Sequence, residues 1–431
     1  MGSIVTSKFR IHNAEQFVES FSETSNSIIY LTIGRNNAFA DDNNPPTPVN
    51  STANVEYTPW REMYAAKRVT ASDVTHAVPR YDWVTGTVYD QYDDQDTNLL
   101  DDDFYVMTDD YNVFKCLFNN NGAASTTKPT KPGTVTERFT TADGYIWRYM
   151  YTVTTADALK FLTNDYVPVK TLASDDGSDQ WDVQTGAVDG SIEVVLVTAG
   201  GSGYFTGNTT VTITGDGTGA TANATVSGGA VTAVTITNVG SGYTRASVAI
   251  AGAGASATAR AVISPKGGHG ADAIEELGGK YVMMNVRLDG NESNTHSTAN
   301  EFRSVCLVRD PNLYGTSTRA TASVYRQTFR YDLSGVSGEF VLDETATSGS
   351  NTASVVEWNT TSDYLFTTLP VNQAFANGAT VTGTGGATGT ISVINTPGLQ
   401  PYSGELLYVE NRVPIARATD QIEDVKLIVQ F

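Results

Sequence analysis

The sequence predicts a mainly β fold with a few short helices: a multi-domain, β-sandwich-like core carrying two small all-β insertions. Three observations point there. Only 17% of the 431 residues are charged, while Gly, Thr, Ala, Ser and Asn are abundant. That is a turn-rich composition, unlike the Glu/Lys-rich signature of helical bundles. Apolar residues fall two apart in several runs, as at Val425, Leu427, Val429 and Phe431, with Asp424, Lys426 and Gln430 between them. Finally, residues 192–263 are mostly Gly, Ala, Thr and Val, and they repeat.

From the N-terminus, Ile4–Ile11 alternates weakly and reads as an opening strand. Asn13 has the chemistry of a helix N-cap, with Gln16 three residues on and Phe17, Val18 and Phe21 making an inward face one turn long. Ile28–Ile33 is an apolar run stopped by Gly34, as in a buried strand. Residues 41–48 form a loop by their Asn and Pro content. Thr58-Pro59 opens a helix predicted to run to Arg68, with Pro59 at its first position. Strands follow at Phe104–Met107, Val113–Phe118 and Tyr145–Thr152, the last lined by aromatic rings. Cys116 and Cys306 each sit in an apolar run, which favours two buried thiols on strands over a disulfide.

In the repeat, VTAGGSGY (Val197–Tyr204) returns as TNVGSGY (Thr237–Tyr243), the tyrosines spaced 39 positions apart. Alternating Val, Thr and Ile follow each copy, then a Gly-Ala-Thr tail. Two similar hairpin units packed together are expected, the glycines making the turns and the tyrosines covering the hairpin ends. Asp272–Leu277 reads as a short helix stopped by Gly278 and Gly279, and Tyr281–Leu288 and Phe302–Arg309 as strands. Residues 338–395 return to Gly/Thr-rich β character. The predicted organisation is a core domain over 1–185, an insertion over 186–264, core again over 265–339, a second insertion over 340–398, and strands returning to the core over 399–431. The buried Phe431 expected at the end implies that the chain does not finish in a loose tail.

Composition and motifs exclude more than they assign. A formal net charge of −20, from 47 acids against 27 bases, argues against a nucleic-acid partner. No signal peptide is apparent, and no run approaches the ~18 apolar residues of a membrane span. Met1–Thr6 matches the short M-G-x-x-x-T pattern of N-myristoylation. Nine aspartates lie between Asp90 and Asp110, and Asp94, Asp96 and Asn98 have alternating oxygen-ligand spacing. Leu99 stands where a calcium loop needs its turn glycine, and Tyr105 where it needs Glu, so solvated turns are expected and no metal site is assigned. His12, His76, His269 and His296 lack zinc spacing, and His269, between glycines, reads as the most exposed. Ser202 and Ser337 each miss one glycine of G-x-S-x-G. No catalytic residue and no cofactor is predicted.

Six segments, taken in order, carry a resemblance. They are Ile4-Val5-Thr6-Ser7-Lys8-Phe9-Arg10; Thr32-Ile33-Gly34-Arg35; Val78-Pro79-Arg80-Tyr81-Asp82-Trp83; Lys115-Cys116-Leu117; Asp143-Gly144-Tyr145-Ile146-Trp147; and Ser403-Gly404-Glu405 through Glu410-Asn411-Arg412 to Asp420-Gln421. Together they resemble the baseplate wedge protein family, wedge protein eight, of T-even-like contractile-tailed bacteriophages. The resemblance runs over residues 4–170, more thinly over 266–335, and densely over 401–431. It implies a mostly β homodimer without catalysis, placed in the virion tail baseplate after assembly in the host cytoplasm. The implied partners are itself, other wedge proteins and short-fibre-linked subunits, with no nucleic acid and no membrane.

The Gly/Thr/Ala-rich stretches at 186–264 and 340–398 depart from that family pattern. They support the competing reading of a receptor- or glycan-binding tail module, and more remotely a depolymerase. Interface candidates are Tyr145, Trp147, Tyr149 and Tyr151, expected on one side of their strand as either core or contact surface, and Glu410 with Arg412, expected to pin a terminal hairpin or bridge two subunits.

Overall fold

The computed structural model describes residues 4–23, 27–49 and 57–431. The myristoylation pattern lies partly outside them, at Met1–Ser3. The chain divides into two compact units. The first comprises Met1–Gln16, Thr75–Met283 and Ile428–Phe431; the second comprises Phe17–Val74 and Met284–Leu427.

The opening strand is not formed. Ser7–Glu19 is one helix, with the Thr6 hydroxyl, in place of Asn13, accepting from the Phe9 amide at 3.2 Å. Ile11 and Ala14, three apart, are its buried residues, while Ile4, Val5 and Phe9 are exposed. Helical spacing of two small apolar contacts outweighed a weak two-residue alternation.

In the first unit a four-stranded sheet runs in the order Tyr105–Met107, Asn112–Phe118, Ile146–Thr152, Phe139–Thr140. The helix Ala273–Leu277 forms where predicted. Asp272 Oδ1 accepts from the amides of Ile274 and Glu275, and Gly278 closes the helix at φ +79°, a left-handed C-terminal position that suits glycine. At the C-terminus the Phe431 amide donates to Lys280 O at 3.1 Å, and Ile428 packs against Ala77, Phe161 and Met283. Phe431 itself is half-buried, short of the full burial expected.

The repeat forms one six-stranded sheet in place of two hairpin units. Its order is Thr210–Gly215, Ala246–Ala251, Ala255–Ile263, Ile192–Ser202, Ala230–Asn238, Thr221–Ser227. Strands of the two copies interleave: the third strand of each copy pairs with the first strand of the other. One copy alone offers mostly Val, Ala and Thr, too little apolar volume for a core of its own. Interleaving gathers Ile192, Val195, Val231, Val234 and Ile236 into a shared one.

The tyrosines hold this sheet reciprocally. Tyr204 of the first copy is buried, and its hydroxyl accepts from the Ala257 amide of the second; Tyr243 of the second accepts from the Ala220 amide of the first, both at 3.3 Å. A Cβ on Gly254 would lie 2.5 Å from the Tyr204 ring, and one on Gly217 would lie 2.4 Å from the Tyr243 ring. In each Gly-Ser-Gly-Tyr both glycines have positive φ (Gly201 and Gly203, Gly240 and Gly242), as sharp turns require.

The second unit holds a five-stranded sheet ordered Val324–Arg326, Met63–Val69, Ile29–Gly34, Phe302–Arg309, Glu405–Ile415. The helix expected over 58–68 spans only Tyr57–Glu62, and Met63–Val69 continues as a strand. Met63, Tyr64, Ala65 and Ala66 are all buried between two neighbouring strands. Pairing on both edges overrides their local helix preference. Gly34 sits at the junction, where a Cβ would come within 2.6 Å of Glu62 O.

A closed six-stranded barrel completes this unit. It takes in Phe329–Ser337, Tyr364–Thr367, Asn351–Asn359, Thr345–Ser348, Thr380–Gly383 and Thr388–Asn395 around Tyr331, Val355, Leu365, Phe375, Val381 and Ile391. The first of these strands lies before residue 340 and closes the ring by pairing on both sides. Asn36, next to the five-stranded sheet, donates to Asp343 Oδ1 (2.9 Å) and Ser354 Oγ (2.8 Å) of the barrel.

Candidate interaction surfaces

Val113–Phe118 and Ile146–Thr152 pair antiparallel, which sets Phe114 opposite Tyr149, Lys115 opposite Arg148 and Cys116 opposite Trp147. Tyr145, Trp147, Tyr149 and Tyr151 are all buried within the chain, at 0–3% exposure. Tyr145 and Trp147 stack at 5.4 Å, and Tyr149 meets Phe114 edge-on at 5.9 Å. The four rings do not share a face. Tyr145, Trp147 and Tyr149 join one cluster, whereas Met150 and Tyr151 join another with Phe104, Val113 and Val167. The register shifts between Val113–Tyr151 and Phe114–Tyr149, leaving Met150 as an extra residue. That bulge resets the alternation and turns Tyr151 over.

Two cations sit opposite one another on these strands, and both are buried. Lys115 Nζ is 2.7 Å from Glu276 Oε2 and 4.1 Å from the centre of the Tyr92 ring. Arg148 donates to His269 O at 3.1 Å and lies 3.6 Å from Glu193. Burial lowers the Lys115 pKa, against the pull of Glu276, and raises that of the Glu193 carboxyl. Like charges directly across a ladder repel, so the two acids are what make this arrangement tolerable. Neither pairing was anticipated from the sequence, although Lys115 lies in one of the resembling segments. The signal was present as a lone cation inside each apolar run, VFKCLF and IWRYMY.

The histidines reverse the expectation. His269 is 2% exposed, its ring edge-on to Tyr92, and its pKa is held well below the usual value by burial and by Lys115 and Arg148. His76 and His296 are also buried, and His12 is the exposed one. Cys116 and Cys306 are free and buried, as expected for strand thiols. In the aspartate run, Asp93 and Asp94 pair with Arg260, Asp101 with Lys280, and Asp109 with Lys128. Among the described residues no three His, Cys, Asp or Glu side chains are grouped so as to hold a metal ion.

Glu410 and Arg412 lie on Glu405–Ile415, the edge strand of the five-stranded sheet. The Tyr408 hydroxyl donates to Glu410 Oε2 at 2.8 Å, and Arg412 Nε lies 3.4 Å from Glu410 Oε1, each of the charged side chains one-third exposed. This row runs along one strand and does not pin a hairpin, because Glu405–Ile415 and Ile422–Gln430 belong to different sheets. Leu407 and Val413, of opposite parity to the charged row, are 41% and 51% exposed. A partly exposed charged row with flanking apolar residues, on a sheet edge, has the chemistry of a protein contact and no reacting group.

Residues 3–119 match the model of a protein family described as bacteriophage T4 Gp8. The chain is also 25% identical, over 206 residues, to the baseplate wedge protein gp8 of Enterobacteria phage T4. That alignment covers 39% of this chain and 60% of the T4 protein. The first four of the six resembling segments fall within 3–119. No helix among the described residues is long and apolar enough to cross a membrane.

Proposed function

We propose that this chain, a member of the baseplate wedge family, is a structural subunit of a phage tail baseplate. The observation that carries this reading is the family match over residues 3–119, which spans the opening helix, two of the three inner strands of the five-stranded sheet and the first half of the aromatic pair. The finer reading is a homodimer that links neighbouring wedge proteins, with short-fibre-linked subunits among its neighbours. Glu410 and Arg412 on the edge strand are its proposed contact residues, since strand edges and half-exposed charge rows suit shape-matched assembly. Tyr145, Trp147, Tyr149 and Tyr151 support this role from inside, by making the aromatic sheet rigid. The reading needs no catalysis.

Phage particles produced without this chain test it. The expected result is the loss of complete baseplates, with tails restored when the chain is supplied in trans; normal tails in its absence would overturn the reading. Light scattering on the purified chain tests the dimer, with about twice the 46.0 kDa chain mass expected. Reversing charge at Glu410 or Arg412 should weaken assembly while leaving the fold intact.

A further inference from the structure

A cleft of about 310 Å³ opens within the first unit, between the aromatic sheet (Phe118, Thr140, Ile146) and the repeat sheet (Glu193, Val194, Val195, Val197 and 232–236). That volume lies at the small end of the range of about 300–1,000 Å³ typical of small-molecule sites. Its apolar lining comes from Val195, Val197, Val234 and Ile146. Two charged groups stand on it. Arg138 is half-buried and tethered by one hydrogen bond, from Nη2 to Ile236 O at 3.0 Å. Among the described residues no carboxylate pairs with it directly. Glu193 is 7% exposed, and its Oε2 is buried without a hydrogen-bond partner. A buried acceptor left unpaired costs about 1–3 kcal/mol, so a donor supplied from the cleft would be strongly favoured.

These groups define a ligand. It needs an anionic end for the guanidinium, a hydroxyl donor for Glu193, and an apolar ring face for the valines. Asn121, Thr140, Thr232 and Thr235 line the same cleft and can exchange hydrogen bonds with further hydroxyls. We propose that this cleft binds an acidic sugar, a uronic-acid unit whose carboxylate pairs with Arg138 and whose ring hydroxyl donates to Glu193. A neutral sugar leaves Arg138 unmatched. A simple carboxylate offers no donor to Glu193 Oε2, and a phosphate-rich ligand would meet one cation and a neighbouring acid. The site does not depend on the proposed place in a baseplate.

The test titrates D-glucuronate into the full chain, followed by ligand-observed NMR, with D-glucose and acetate as comparison ligands. Millimolar binding of glucuronate is expected, with glucose and acetate each at least about tenfold weaker, the range set by one charge-assisted hydrogen bond. Arg138→Gln should weaken glucuronate about tenfold or more and leave the thermal melt unchanged, because the side chain is only half-buried. Thr235→Val, an exposed change that the fold tolerates, should weaken it by a smaller factor. No glucuronate binding by the folded protein overturns the proposal. So does acetate binding as well as glucuronate, or an Arg138→Gln variant that binds like the parent.

Discussion

The aromatic sheet and the repeat sheet of the first unit are stabilised in opposite ways. The aromatic sheet is filled by large rings and by two buried ion pairs, so what matters there is volume and charge that cannot be removed. The repeat sheet is built from Val, Ala, Thr and Gly, with one tyrosine per copy closing on a glycine of the other. What matters there is space that cannot be filled. One sheet should therefore fail on large-to-small changes and the other on small-to-large ones.

The largest expected effect separates them most sharply. Glu276→Ala leaves the Lys115 ammonium fully buried without its hydrogen-bonded carboxylate, and should destabilise the protein by about 3–5 kcal/mol in a denaturant titration. Lys115→Met should cost less, because Glu276 Oε1 keeps the amides of Gly270 (2.7 Å) and Asp272 (3.3 Å). Trp147→Ala belongs to the same class, at about 3–5 kcal/mol.

In the repeat sheet, Gly217→Ala and Gly254→Ala each drive a methyl into a tyrosine ring and should cost about 1–3 kcal/mol. Double-mutant cycles should show coupling for Gly217 with Tyr243 and for Gly254 with Tyr204, and none for the crossed pairs. Coupling within one copy instead would disprove the interleaved closure.

Acid should act on the aromatic sheet before the repeat sheet, which carries no histidine. His269 is kept neutral when folded, so the unfolded chain takes up its proton first, near the ordinary histidine value of about 6.5. Stability is thus fully present above that pH and falls as pH drops below it, by up to about 1.4 kcal/mol per unit. Glu193 works in the opposite direction: its raised pKa makes the folded state favour the proton, so acid relieves the cost of burying its charge. Hydrogen exchange should show protection falling in the aromatic sheet below pH ~6.5, with His269→Phe flattening that fall. Equal early loss in the repeat sheet would remove the contrast. The smallest effect is expected at the exposed hydroxyl pair Thr198–Thr258, 2.7 Å apart, where Thr198→Val should change stability by no more than about 0.5 kcal/mol.

Much of the fold was legible where a signal was local. The glycine-stopped helix at Ala273–Leu277, the fully buried Ile29–Gly34 and the strand positions in the aromatic region all follow from caps and periodicity. Three of the misses share one cause. Met63–Val69 became a strand, Tyr151 turned away from its three neighbours, and the repeats exchanged strands, because partners far along the chain decided each outcome. Of the candidate surface residues, Glu410 and Arg412 do come together, on one strand in place of a hairpin. The aromatic rings lie in the interior, and the Lys115–Glu276 and Arg148–Glu193 pairs were not anticipated because pairing is invisible until strands are in register.

By itself, the sequence determined that this protein is β-rich, that glycines and tyrosines recur in step, and that its opening segments match those of a wedge protein. These properties depend on composition and on neighbours a few positions apart. Only the tertiary structure decided which strands pair, where a single extra residue flips a face, and which buried charges meet. Each of those depends on contacts between residues tens to hundreds of positions apart, whose free energy exceeds the small local preferences that a sequence displays.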